Sequence, residues 1–438
     1  MFVMLVAYRS WGNHPRAPRE VAADSHRSTM PSELPAPASR IRQAERLRRA
    51  HRVRTVDRAL PDGGRFRLAY TRTGPPSQSP VLVFPGGPGL GSVVPYAGLR
   101  RRASRLGLDL IMVEHRGVGL SRSRVDGADL SRSALRIAAV VDDAAAVLDA
   151  EGVARAVIAG SSYGSYVAQR FGAGHPDRVS AMVLDSAMLD ERSLAPASRA
   201  LHEHYWEGSV SETAPLAMRV QHVAGQDPGH EDGLGFALQL LHEFVGPAAV
   251  ARYLSLLEGH RGRNLTRWAA TLGRGELSRV VPFQMEFDLV GEIAFRELGY
   301  GWEDFDTQLS KSGHFANTAA NFSPFTPPSV PLSALIDRFT WPTVLLSGDR
   351  DIRTPRSEST RIAALVPEAH LIPIRTHGHS ALDFAPQLVL GVLQAVTSGI
   401  GAAGSLGDRL PQDLVAPRSL ASRMIGARLA AAEFPLAR

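Results

Sequence analysis

Two kinds of hydrophobic pattern divide the chain. His51–Arg58 and Arg65–Arg72 alternate apolar and polar positions on either side of Pro61-Asp62-Gly63-Gly64, which predicts two strands joined by a turn. Apolar runs with at most one charged or polar residue among their core positions follow at Val81–Phe84, Leu108–Val113 (interrupted by Asp109), Ala156–Ala159 and Ala181–Leu184, and again at Thr343–Leu346 and His370–Ile374. Near-continuous apolarity over four to six residues is the mark of strands covered on both faces, as in a parallel sheet. Between these runs lie stretches of helical period, such as Ser133–Leu148 with Leu135, Ala138, Val141 and Leu148. The pattern predicts an α/β fold: a doubly wound, mostly parallel eight-stranded sheet with helices on both faces.

The alternation stops between about residues 191 and 335. There the period is helical, clearest over Leu234–Val245 and Val250–Leu257. A helical insertion between the sixth strand and the last two sits where a lid over an active site would sit. The expected organisation is a core in two parts, 51–190 and 336–398, interrupted by a helical cap over 191–335. Residues 399–438, rich in Ala, Arg and Gly, form an appendage with a helix over Arg418–Ala432. Residues 1–50 read as a basic leader, disordered where residues 9–40 mix Arg, Pro, Ser and Ala without period, and helix-forming from Arg40 to His51. Its opening run, Met1–Tyr8, has no charged n-region and is too short to cross a membrane, so the expected location is the cytoplasm. Met30 is as good a translation start as Met1.

Composition narrows the chemistry. The 438 residues include no Cys, which removes disulfides, thiolate metal sites and a cysteine nucleophile. A net charge of +6 raises the question of nucleic acid, but residues 1–60 alone carry 12 Arg against 5 acidic residues, leaving residues 61–438 at −1. The body of the chain therefore has no polyanion-binding balance, and neither a nucleic acid nor a membrane is expected as partner. Lys311 is the one lysine among 49 basic residues, which reads as the codon bias of a GC-rich genome.

The sharpest chemical signal is Gly160-Ser161-Ser162-Tyr163-Gly164, directly after the run Ala156–Ala159 and before the helix-compatible Ser165–Gly172. This is the nucleophile-elbow pattern G-x-S-x-G, whose glycines permit a turn tight enough to lift Ser162 above the sheet edge. Phe84-Pro85-Gly86-Gly87-Pro88-Gly89 follows an earlier strand and offers backbone donors for an oxyanion. One donor would be the Tyr163 N–H; Pro88 has none, so Gly87 is the candidate for the other. A serine nucleophile needs a base and an orienting acid, which in this arrangement follow it in the chain. Asp351, in Ser347-Gly348-Asp349-Arg350-Asp351-Ile352-Arg353-Thr354-Pro355, is the candidate acid, with Asp349 as a turn residue. His379, in Thr376-His377-Gly378-His379-Ser380, is the candidate base and His377 its rival. The other histidines lack metal-ligand spacing, no dinucleotide or P-loop fingerprint is present, and neither a cofactor nor a metal is expected.

Together these motifs resemble the α/β-hydrolase superfamily, and more narrowly its prolyl aminopeptidase and tripeptidyl aminopeptidase branch. Gly86–Gly89 is similar to that branch's glycine-rich loop, Glu114-His115-Arg116-Gly117-Val118-Gly119-Leu120-Ser121 to its D-x-R-G-x-G-x-S segment, Gly160–Gly164 to its G-x-S-Y-G elbow and Asp351–Pro355 to its D-x-x-T-P turn. Two departures stand out: Pro85 replaces a His or Asn, and Glu114 replaces an Asp. The resemblance implies a serine hydrolase with a helical lid, working through Ser162, His379 and Asp351 on a short peptide or other small molecule. It also implies an aminopeptidase that releases proline or a short unit from a peptide N-terminus; an esterase or lactonase with the same triad and a non-catalytic binding protein are the alternatives. An exo-aminopeptidase must pair a substrate ammonium group, because burying it unpaired is prohibitive. The insertion's candidates are Glu207 beside Trp206, Glu292 and Glu297, with Glu203, Glu286 and Asp288 behind them. For Arg116 an ion-pairing structural role is expected ahead of substrate contact.

Overall fold

The computed structural model describes residues 37–189, 195–226, 231–278, 280–301, 309, 315, 318–400 and 406–434. Six strands precede the insertion: β1 (Arg54–Ala59), β2 (Arg65–Thr73), β3 (Val81–Phe84), β4 (Leu110–Val113), β5 (Ala156–Ser161) and β6 (Val179–Asp185). A two-stranded hairpin, β7 (Val280–Val281) and β8 (Met285–Glu286), lies within it, and β9 (Thr343–Gly348), β10 (Ala369–Arg375) and β11 (Leu414–Val415) follow. The main sheet has the order β1-β2-β4-β3-β5-β6-β9-β10-β11. Antiparallel pairing is confined to β1–β2 and β2–β4; every other neighbour in that sheet is parallel.

The apolar runs have a simple cause. Side chains alternate between faces along a strand, and here both faces are covered. Leu82, Ile111, Ile158, Met182 and Leu345 join one core, with the helices Ile137–Ala150 and Tyr163–Gly174. Val81, Val83, Met112, Val157, Val183 and Val344 join the other, with Ala97–Arg105 and Pro386–Gly399.

The insertion carries six α-helices among the described residues: Ala195–His202, Ala214–Gln226, Glu231–Phe244, Pro247–Glu258, Arg263–Ser278 and Phe287–Arg296. It has its own core, built on Leu234, Leu238, Leu241, Val250, Leu254 and Leu265. It is not wholly helical, because β7 and β8 form a hairpin that continues into the glycine-rich loop of the core. Gly91 N–H donates to the Gln284 carbonyl at 2.8 Å and Glu286 N–H to the Gly89 carbonyl at 2.9 Å. Among the described residues no helix is long and apolar enough to cross a membrane.

Three expectations need correction at the ends. The sheet has nine strands rather than eight, because Leu414–Val415 of the appendage pairs with Ile374–Arg375. The appendage is also not peripheral: Ala421, Ile425 and Leu429 of its helix Leu420–Glu433 complete the insertion's core. The expected leader of residues 1–50 is structured from Pro37, where a helix runs to Ala50; residues 1–36 lie outside the described residues. Ala44 and Leu47 of that helix pack on Val93, Leu120 and Phe283. Arg40 reaches both oxygens of the buried Glu286 at 2.8 and 2.9 Å and lies over the Phe283 ring at 4.7 Å.

Removing one member of a fully buried ion pair typically costs about 3–5 kcal/mol. Glu286 keeps the Phe283 and Gly119 N–H donors and Arg122 at 3.5 Å. Arg40→Ala should therefore cost less, about 2 kcal/mol. The expected outcome is a lower urea midpoint and a Tm several degrees down, with Arg40→Lys intermediate because an ammonium keeps the positive charge against Glu286 but loses the planar guanidinium's stacking over Phe283. An unchanged midpoint would show the helix to be loosely held.

Candidate active site

The elbow is built where backbone meets backbone. Ser162 sits between the end of β5 and the helix Tyr163–Gly174 with φ 54° and ψ −125°, a region side chains seldom adopt. A Cβ on Gly160 would run into the Gly164 carbonyl, and one on Gly164 into the Phe84 carbonyl. Only glycine at both places lets helix and strands close around the turn. The turn is held by Ser162 N–H donating to the Asp185 carbonyl at 2.9 Å.

The fold brings the three expected side chains together across 217 residues of sequence. His379 Nε2 lies 2.8 Å from Ser162 Oγ. On its other side, His379 Nδ1 is 3.1 Å from each Asp351 oxygen. The Asp351 carboxylate is fully buried and receives the Thr354 N–H at 2.9 Å and the Thr354 hydroxyl at 2.8 Å. The expected D-x-x-T-P turn thus has a physical purpose: its Thr354 fills the lone pairs that the imidazole leaves open. With Nδ1–H donated to Asp351, Nε2 is the nitrogen free to accept the Ser162 proton. Burial works against a charged imidazole, but the Asp351 carboxylate outweighs it and holds His379 above its ordinary pKa. Burial likewise opposes the Asp351 charge, and His379 with the Thr354 donors holds that carboxyl below the usual range.

The rivals do other work. Asp349 receives the Thr376 N–H at 2.9 Å and the His377 N–H at 3.0 Å, so it fixes the turn that presents His379. Burial drives His377 down to about 4, which leaves it neutral near pH 7.

The glycine-rich loop lies against the nucleophile. A Cβ on Gly86 would stand 3.7 Å from that of Ser162, and Gly87, at φ 140°, is in a conformation suited to glycine. Tyr163 begins its helix, so its N–H belongs to the first turn, where helices leave donors without intrahelical partners. Its hydroxyl is 2.9 Å from His115 Nε2, while His115 Nδ1 is 2.6 Å from the Arg116 carbonyl. Burial takes His115 down to about 4, so the neutral ring donates from Nδ1 and accepts the tyrosine proton.

Five of the insertion's six candidate carboxylates, all but Glu203, are already engaged. Glu207 is exposed and lies 3.0 Å from His202, whose ring stacks on Trp206. Glu292 receives Arg296 at 2.8 Å and the Ser323 N–H at 3.2 Å. Glu297 receives Arg296 at 2.7 Å and caps Ile137 N–H at 3.1 Å. Glu286 and Asp288 hold Arg40 and Arg122. Arg116 grips Asp143 with two bonds at 2.7 Å, the expected structural pair.

Three acidic residues escaped sequence reasoning. Asp185 receives the Ser161 hydroxyl at 2.8 Å and the N–H groups of Ala381 and Leu382 at 3.1 and 2.8 Å, so one carboxyl ties the nucleophile's turn to the histidine's; burial pushes it up to about 6. Glu114 was noticed as a departure, but not for its role. It binds the N–H groups of Ser92 and Val93 and the Ser92 hydroxyl, anchoring the loop after Gly89. Glu243, buried at the end of the helix Glu231–Phe244, presses on Gly378 and receives Arg353 at 3.1 Å. Periodicity alone offered no sign of it.

The expected test of this geometry is a titration of the His379 ring by imidazole NMR. In the intact protein it should lose its proton above the ordinary 6.5, and in Asp351→Asn below it, since the burial penalty then acts without the carboxylate. The sign for stability follows: the His379–Asp351 contribution is full below the histidine's unfolded pKa and fades as pH rises through its folded one.

Residues 79–221 match the family model described as alpha/beta hydrolase fold. Two proteins named proline iminopeptidase, from Neisseria meningitidis serogroups A and B, are each 23% identical over 351 residues, covering 75% of this chain and 91% of theirs. Among solved structures, a serine hydrolase from Cycloclasticus zankles aligns with a TM-score of 0.46 and 16% identity over 80% of this chain and 99% of that one. An esterase from Rhodococcus aligns at 0.44 and 19% identity over 79% and 99%.

Proposed function

We propose, for a chain that has the α/β-hydrolase fold and resembles its prolyl aminopeptidase branch, that it is a serine hydrolase releasing proline or a short unit from the N-terminus of small peptides. The observation that carries the chemistry is the 2.8 Å contact between Ser162 Oγ and His379 Nε2, backed by Asp351 on the far nitrogen. Ser162 Oγ attacks the scissile carbonyl as Nε2 takes its proton. The carbonyl electrons move onto oxygen, where the N–H groups of Gly87 and Tyr163 receive the charge. Collapse of this intermediate breaks the C–N bond, and the imidazolium returns the proton to the leaving amine. Water then repeats the sequence on the acyl-serine, releasing the carboxylic acid. Each oxyanion donor is worth about 2.7–4 kcal/mol of barrier in enzymes of this kind.

The peptide reading draws on the similarity to proteins named proline iminopeptidase. Its ammonium partner would come from the carboxylates nearest the triad. Glu243 abuts the histidine's loop, and Glu297 lies close enough to Tyr163 to add to the burial that raises its phenol. One observation favours a second reading, an esterase or lactonase with the same triad. Glu207, Glu292, Glu297 and Glu243 each already face a His or Arg, so an incoming ammonium would have to share a carboxylate with a cation.

Ser162→Ala should lower kcat by about a millionfold, as loss of a nucleophile does in serine proteases, with Tm near that of the intact protein. Turnover surviving in that variant would remove Ser162 from the mechanism. The substrate class is read from proline p-nitroanilide, its N-acetylated twin and p-nitrophenyl esters. Preference for the free amine supports the aminopeptidase, while efficient ester hydrolysis with indifference to acetylation supports the esterase. For whichever substrate is cleaved, kcat/KM should rise with pH through one proton loss above 6.5, because His379 must be neutral to act as base.

A further inference from the structure

Away from Ser162 and His379, the appendage closes a second cavity against the core. It has a volume of about 270 Å³ and lies between the helices Ala97–Arg105 and Pro386–Gly399 and the chain from Pro417 to Arg423. Its wall is apolar where the core supplies it: Leu99 and Leu382 are each 4% exposed, and Phe384 and Leu420 extend the same surface. Arg102, Arg418 and Arg423 also line it, from two elements far apart in sequence, against the single carboxylate Asp383. That carboxylate is already engaged, receiving the Tyr96 hydroxyl at 2.6 Å and the Ser380 hydroxyl. A concave apolar wall flanked by the exposed guanidinium groups of Arg418 and Arg423 suits one kind of ligand, a small anion with an apolar body. A carboxylate fits the planar fork of arginine, and an apolar ring or short chain fits the wall.

A larger cavity of about 520 Å³ beside the helix Ile137–Ala150 fails the same comparison of charge. Arg136, Arg170 and Arg296 line it, but Arg296 is held by Glu292 and Glu297, Arg170 donates to the Tyr166 hydroxyl, and Asp142 and Glu297 offset two of the three charges.

We propose that the smaller cavity is a binding site for a carboxylic acid bearing a single ring or short aliphatic chain, distinct from the site at Ser162 and created by the C-terminal appendage. The reading is independent of which bond Ser162 cleaves, since neither Ser162 nor His379 lines the cavity.

The test is isothermal titration of the full chain with 4-phenylbutyrate and with 4-phenylbutanol, its uncharged twin. The intact protein should bind the acid saturably and the alcohol at least about tenfold more weakly, the loss of one charge-assisted contact. Arg418→Gln/Arg423→Gln should weaken the acid by about tenfold or more and leave the alcohol unchanged. Leu420→Trp, at an exposed position of the rim, should weaken both by filling the apolar space. Both variants should keep the Tm of the intact protein, because none of these side chains is buried. Acid binding that survives the double substitution places the acid elsewhere and overturns the proposal. So does equal affinity for acid and alcohol, or no saturable binding at millimolar acid.

Discussion

At the nucleophile, the limiting constraint is the distance between two stretches of backbone. Gly164 must pass so close to the Phe84 and Pro85 carbonyls that no side chain fits between them. That contact has consequences in both directions along the chain. It sets the start of the helix Tyr163–Gly174 directly against the loop that carries Gly86 and Gly87, so Ser162 and that loop are packed backbone on backbone. It also imposes on Ser162 a left-handed φ of 54°, which surrounding hydrogen bonds must over-determine if it is to persist. Asp185 supplies much of that over-determination. Its carbonyl holds the Ser162 N–H, and its carboxyl holds the Ser161 hydroxyl together with the backbone just past His379. One residue at the end of β6 thus references Ser162 and His379 to the same frame.

The frame extends to the insertion through backbone as well. The β7–β8 hairpin bonds to Gly89 and Gly91, and the glycine-rich loop is in turn fixed from beneath by Glu114. The Glu114 side chain lies close to Gly119, where an added Cβ would meet its carboxyl. The two segments are matched in size. Arg40 of the N-terminal helix then clamps Glu286 at the hairpin's end. The N-terminal helix therefore bears, through two hydrogen-bonded links, on the loop against Ser162.

What could be read from the sequence is what is encoded locally. The runs Val81–Phe84 and Thr343–Leu346 show as strands because both faces are buried, and burial on both faces leaves few polar positions. Ser162, Asp351 and His379 could be picked out because each lies in a turn whose chemistry is set by its immediate neighbours: two glycines, Thr354, and the Gly378 that Glu243 crowds. The lid carboxylates were beyond such reading. Glu292 and Glu297 both depend on Arg296, and nothing in helical period distinguishes a solvated carboxylate from one bound to a buried guanidinium. Asp185 was missed for the same reason, since its partners lie as far as 197 residues away. Leu414–Val415 is too short to announce itself as a strand and becomes one only because β10 offers it an edge.

The excess of arginine over lysine takes on a different meaning in the folded chain. A genome's codon preference can set how many arginines there are, but it does not decide where they are irreplaceable. Arg116 on Asp143, Arg122 on Asp288 and Arg72 on Asp109 each donate two bonds to one carboxylate from largely buried positions. A lysine there would offer a point charge to a planar acceptor and leave a carboxylate oxygen without its donor, at a cost that burial magnifies. Charges placed this way cancel locally. Where arginines line a cavity with no carboxylate pair among the described residues, as at Arg418 and Arg423, their charge is left to offer a ligand.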